Sequence, residues 1–70
     1  MPVRVVSVGY SDAVVALDPY AEVRVFADCT LVLETSGLRR LSLVDGEIRD
    51  EKVADARTRD RLTRLFSQDH

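Results

Sequence analysis

Between Ala21 and Thr35 the chain alternates. Val23, Val25, Leu31 and Leu33 can share one face, and Glu22, Arg24, Phe26, Val32 and Glu34 the other. A period of two, rich in β-branched residues and broken once at Asp28-Cys29, predicts a pair of strands. The segments before it carry the same signal less cleanly. Val3–Val8 (VRVVSV) and Ala13–Leu17 read as strands with apolar residues on both faces, separated by the turn-formers Gly9-Tyr10-Ser11-Asp12.

Four further turns set the expected pairing. Asp18-Pro19-Tyr20-Ala21 has proline to preset φ and an aspartate to accept from the turn backbone. A tight loop there pairs Ala16 with Val23 and Val14 with Val25. A three-residue loop at Ala27-Asp28-Cys29 aligns Val25 with Leu31 and Val23 with Leu33. The same loop length at Ser36-Gly37-Leu38 aligns Leu33 with Leu41, Leu31 with Leu43 and Glu34 with Arg40. Asp45-Gly46 is a strong two-residue hairpin signal and pairs Leu43 with Ile48 on a short return strand, Glu47–Arg49.

Beyond Asp50, which fits an N-cap, the period changes to that of a helix. Glu51 to about Gln68 lacks glycine and proline, and Ala54, Thr58, Leu62, Leu65 and Phe66 form one stripe. Acids near its start and arginines near its end complement the helix dipole, and Asp55–Arg59 and Asp60–Arg64 are spaced for ion pairs. Ser67–His70 should fray. The expected fold is therefore α+β: one small domain, residues 1–70, with an antiparallel meander of five to six short strands over about 3–49. One C-terminal helix, about 51–67, packs on the sheet face that carries Val23, Val25, Leu31, Leu33, Leu41 and Leu43.

One helix cannot cover both sides of a sheet. Val6, Val8, Val15, Leu17, Phe26 and Val32 are left on the other face, where a contiguous apolar patch on a monomer is unusual. Either the sheet curls into a small barrel, or a second subunit or protein partner covers them. Chain length favours the partner. A domain of 70 residues buries only about 60% of its unfolded surface, and its core supplies a few kcal/mol. It has one cysteine, so no internal disulfide, and one histidine, so no Cys/His metal cage.

Composition narrows the chemistry further. A net charge of −2 gives no bulk attraction to nucleic acid or anionic membrane. The longest uncharged run, Val5–Ser11, is too short to span a bilayer, and Met1-Pro2-Val3-Arg4 leads straight into a strand, which predicts a cytoplasmic protein. His70 reads as a solvated tail residue. Cys29 reads as a turn or edge thiol beside Asp28, whose charge opposes thiolate formation. Glu22 and Glu34 fit cross-strand pairing with Arg24 and Arg40 better than acid/base catalysis. No phosphate loop, nucleophile elbow or HExxH pattern is present, so no cofactor, metal, small-molecule ligand or enzymatic activity is indicated.

The expected role is a small non-catalytic interaction module, a regulator, inhibitor or immunity-type protein. It would act as a homodimer or with a protein partner through Val6, Val8, Val15, Leu17, Phe26 and Val32. The alternative is a nucleic-acid-binding regulator using Arg57, Arg61 and Arg64, which share one helix flank, with Arg39 and Arg40 as a second basic point.

Overall fold

The structure is a computed structural model that describes residues 2–67. Its elements in chain order are β1 (Val3–Val8), β2 (Ser11–Ala16), β3 (Glu22–Val25), β4 (Cys29–Glu34), β5 (Gly37–Val44), β6 (Glu47–Lys52) and α1 (Ala56–Ser67). The α+β class with six strands and a C-terminal helix is as expected. The topology is not one meander, however. β1 and β2 form a two-stranded antiparallel sheet, and β3-β4-β5-β6 form a separate four-stranded antiparallel sheet; neither closes into a barrel.

The layering follows from β4. Thr30, Leu31 and Val32 are consecutive, all without exposed surface, so this strand is apolar on both sides because it is covered on both sides. On one side Val32 and Leu41 pack with Val6, Val8, Val15 and Leu17 of the hairpin and its outgoing loop, edged by Val23, Leu43 and Ile48. On the other, Leu31 and Leu38 pack with Phe66, edged by Phe26, Leu33, Leu62 and Leu65. The molecule is thus hairpin, sheet and helix in three layers. The six residues expected to share the helix-covered face are divided. Leu31 and Leu33 face the helix, Val23, Leu41 and Leu43 face the hairpin, and Val25 is exposed.

Pairing explains that division. The Asp45-Gly46 turn forms as expected, with both residues at positive φ (53° and 80°), and Leu43 lies opposite Ile48. The other registers differ. Asp18-Pro19-Tyr20-Ala21 does turn, since Ala21 N–H donates to the Asp18 carbonyl at 3.0 Å, but it carries the chain between sheets and β2 does not pair with β3. Val25 opposes Thr30, and Val23 opposes Val32. Leu33 opposes Leu38, and Leu31 opposes Arg40. In both hairpins the turn is one residue shorter than expected: Ala27-Asp28 follows Phe26, whose N–H donates to the Cys29 carbonyl at 2.8 Å, and Thr35-Ser36 precedes Gly37. Gly37 opens β5 at φ 139°, a conformation that favours glycine. Each change of parity moves a whole strand's side chains to the opposite face.

The helix starts later than expected. Asp50 and Glu51 belong to β6, which runs to Lys52 and pairs with Arg39–Val44 of β5. Pairing outlasts the helical signal because Val53 N–H still donates to the Leu38 carbonyl at 2.9 Å. The cap is Asp55, whose Oδ2 accepts from Thr58 N–H at 2.9 Å and from its hydroxyl at 2.6 Å. Ala54 therefore precedes the helix, and Leu62, Leu65 and Phe66 carry its packing stripe. Ser67 is helical; the rest of the tail expected to fray, Gln68 to His70, lies outside the described residues.

Candidate functional site

The surface of interest is built by the hairpin. Gly9, at φ 62°, turns the chain so that Val8 opposes Ser11, and the register continues to Val3 opposite Ala16. Val6, Val8 and Val15 point inward to the sheet. By the two-residue period Val3, Val5, Val14 and Ala16 point outward. Val3, Val5 and Val14 are 64%, 65% and 73% exposed, and Val5 lies directly opposite Val14. This is an apolar face on the outermost layer. Ser7 and Asp12 close one end of it, where Ser7 Oγ donates to Asp12 Oδ1 at 2.9 Å.

The hairpin is held in this orientation by directional bonds. The buried Thr30 hydroxyl donates to the Ser7 carbonyl at 2.5 Å. Arg39 donates through Nη1 to the Ala16 carbonyl at 3.0 Å and to Glu34 Oε1 at 3.1 Å. Its Nε donates to Asp50 Oδ1 at 3.2 Å, and its Nη2 to Asp50 Oδ2. Glu34 completes the clamp by accepting the Asp18 N–H at 2.9 Å. Hydrogen bonding to Asp50 and then to Glu34 holds the Arg39 guanidinium above its ordinary value against desolvation, so it stays charged.

The residues singled out from sequence fall in unexpected places. Val6, Val8, Val15, Leu17 and Val32 are buried within this chain, and Phe26 is half-buried against the helix layer. They form no outward face; the hairpin, which folds back as its own layer, covers one side of the sheet, and with its outgoing loop it supplies four of those residues. Glu34 pairs with Arg39 rather than Arg40, and Arg40 approaches Glu51 at 3.8 Å. Cys29 is half-buried; burial first, then the Asp28 charge, pushes its thiol up, with Arg40 pulling the other way. His70 lies outside the described residues. Arg57, Arg61 and Arg64 are all exposed along α1, and among the described residues none of the three is in an ion pair.

No protein-family model, curated protein or solved structure matches this chain. Its surfaces must therefore be weighed on their chemistry. A shallow cleft of about 170 Å³ lies between the end of β6 and the start of α1, lined by Arg40, Lys52, Val53, Asp55 and Thr58 among others. That is below the roughly 300 Å³ at which small-molecule sites begin. Among the described residues no group of three or more His, Cys, Asp or Glu side chains is placed to hold a metal ion, and no helix is long and apolar enough to cross a membrane. The three-valine face is the feature that sequence reasoning missed. Its signal lies in the valines on both faces of the first two strands, where the expected pairing with β3 turns Val14 inward.

Proposed function

We propose that this chain is a small non-catalytic protein–protein interaction module, of the regulator, inhibitor or immunity type, working through the outer face of its hairpin. The observation that supports this is the exposure of Val3, Val5 and Val14 together on one layer, at 64%, 65% and 73%. Isolated exposed valines are ordinary, whereas three on adjacent strands make a contiguous apolar surface. The clamp through Thr30 and Arg39 fixes how that surface is presented, which lowers the ordering cost of association. A photo-activated cross-linker placed at Val5 should give a discrete adduct, with a second copy or with another protein, that is lost when Val3 and Val14 are changed to Lys. One placed at Tyr20 serves as the exposed control. Absence of any adduct from positions 3, 5 and 14 in cells would reject the proposal.

A second reading rests on Arg57, Arg61 and Arg64, exposed at helical spacing on α1 without ion-pair partners among the described residues. Such a stripe suits phosphate contacts, and its signature is binding to generic DNA or RNA that weakens steeply with salt. Glutamate at all three positions should abolish it. The overall charge of −2 places this reading second.

A further inference from the structure

Resting on the reading of α1 as a phosphate-contacting helix, we infer that its ligand is double-stranded nucleic acid, held by the phosphates of one strand without regard to base sequence. The overall charge of −2 conceals how charge is divided. Ala56–Ser67 holds four arginines against Asp60, a net of +3, so the rest of the chain carries −5. A polyanion is therefore attracted to one layer of the molecule and repelled by the remainder.

Helix geometry narrows the contact. At about 100° per residue, Arg57, Arg61 and Arg64 fall within an arc of about 60°. They span about 10 Å along the axis, a length of duplex over which one strand places about three phosphates. All three are exposed, and among the described residues none is in an ion pair. Asp60, also exposed, lies roughly 60° from the midline of the stripe. The flank beyond Asp60 offers Ala56 and Thr63 and no cation, with Arg59 about 150° from the stripe. The helix can thus hold one backbone, not the two that line a groove.

The choice between duplex and single strand turns on aromatic rings. Single strands are held largely by stacking their bases on such rings. The one aromatic residue of α1, Phe66, is buried, while the exposed Tyr10 and Tyr20 belong to the β1–β2 turn and the loop after β2. The stripe offers charge without a stacking platform, which suits a duplex whose bases are already stacked. Phosphate contacts fix position but carry no base sequence.

Fluorescence anisotropy of short labelled duplexes, titrated with the full chain over a range of salt, tests this. The logarithm of affinity should fall against that of salt with a slope of about −2.7, three contacts at roughly −0.9 each. A·T-rich and G·C-rich duplexes should bind alike, and an unpaired strand of the same length several-fold more weakly. Arg61→Gln should lower the slope by about 0.9 with circular dichroism unchanged, since glutamine is a good helix former. Arg59→Gln, the same loss of charge on the far side, should leave the slope as it was. Equal effects from these two variants would show that net charge and not the stripe drives binding, which overturns the inference. A duplex displaced by polyglutamate as readily as by unlabelled duplex overturns it too, giving the stripe to an acidic protein. A single strand bound more tightly than the duplex rejects the duplex and keeps the phosphate-contact reading. Binding of neither at low salt rejects both.

Discussion

β4 is covered on both sides, but the two covers are attached differently. The hairpin side combines the larger core, Val6, Val8, Val15, Leu17, Val32 and Leu41, with hydrogen bonds that cross between layers from Thr30 and Arg39. The helix side has a smaller buried set, Leu31, Leu38 and Phe66. There the Arg24 guanidinium stands over the Phe66 ring at 5.2 Å, and side-chain hydroxyls bond along the helix: Thr63 to the Arg59 carbonyl at 2.6 Å, Ser67 to the Arg64 carbonyl at 3.1 Å. Apolar burial is non-directional, whereas hydrogen bonds fix orientation. The hairpin is therefore fixed by hydrogen bonds between layers, while apolar burial and the Arg24–Phe66 contact hold the helix. The outer valines belong to the layer whose pose is fixed.

The strongest way to break that contrast is to open each core in turn. Leu41→Ala on the hairpin side should cost about 2–5 kcal/mol, enough to unfold most of a domain whose whole stability is of order 5 kcal/mol. Phe66→Ala, near the helix end and slightly open to solvent, should cost less, about 2 kcal/mol, below the usual range for a buried phenylalanine. Urea denaturation of the two variants measures both. A larger loss for Phe66→Ala would reverse the ranking of the two sides.

Next in size is the clamp. Arg39→Met leaves Glu34, whose side chain is only 8% exposed, without its counter-charge, and frees the Ala16 carbonyl; about 1–3 kcal/mol should be lost. Arg39→Lys should recover less than half of that, because an ammonium cannot fork to Asp50 while also reaching Glu34 and Ala16. Thr30→Val is a finer probe. It keeps the shape, removes the bond to Ser7 and leaves that carbonyl unpaired, for a loss of about 1–2 kcal/mol by denaturation. Amide exchange should then quicken in β1 and β2 before it quickens in α1. Equal quickening in both layers would show that the hydroxyl does not set the hairpin's pose.

How far the sequence disclosed this arrangement follows from which signals are local. Asp45-Gly46 specifies its own hairpin, because both turn residues must adopt positive φ, and the register it implied is the observed one. Strand and helix types were legible for the same reason. Loop length at Ala27-Asp28 and Thr35-Ser36 is not, since the sequence offers only the criterion of the alignment that puts the most leucines and valines on one face. That criterion fails for a strand buried on both sides, where Leu31 and Val32 each need a different cover. The interior residues Val6, Val8, Val15, Leu17 and Val32 do read from sequence as a second apolar set needing burial. That the chain's own hairpin would supply it is a tertiary fact that no spacing encodes. The outer valines were hidden by the same error, since β1 carries valine on both faces.

The smallest expected effect lies at the helix start, and it separates the two layers by pH. Asp55 is fully exposed, yet its carboxyl is held below the usual value by the Thr58 hydroxyl and then the Thr58 N–H. A depressed carboxylate contributes stability that is present above its unfolded value of 3.8 and is lost as pH falls through the lower folded value. The cap is intact at neutral pH and weakens only in strong acid. Asp55→Asn keeps an acceptor for the Thr58 N–H and cannot titrate, so helical ellipticity at neutral pH should be unchanged and the acid-induced decrease reduced. Asp55→Ala should lower helicity at every pH. Neither change touches the clamp, so hairpin amide exchange should be unaffected in both. If loss of the Asp55 cap instead loosened β1 and β2, the two covers of β4 would be coupled through the strand, and their independence would fall.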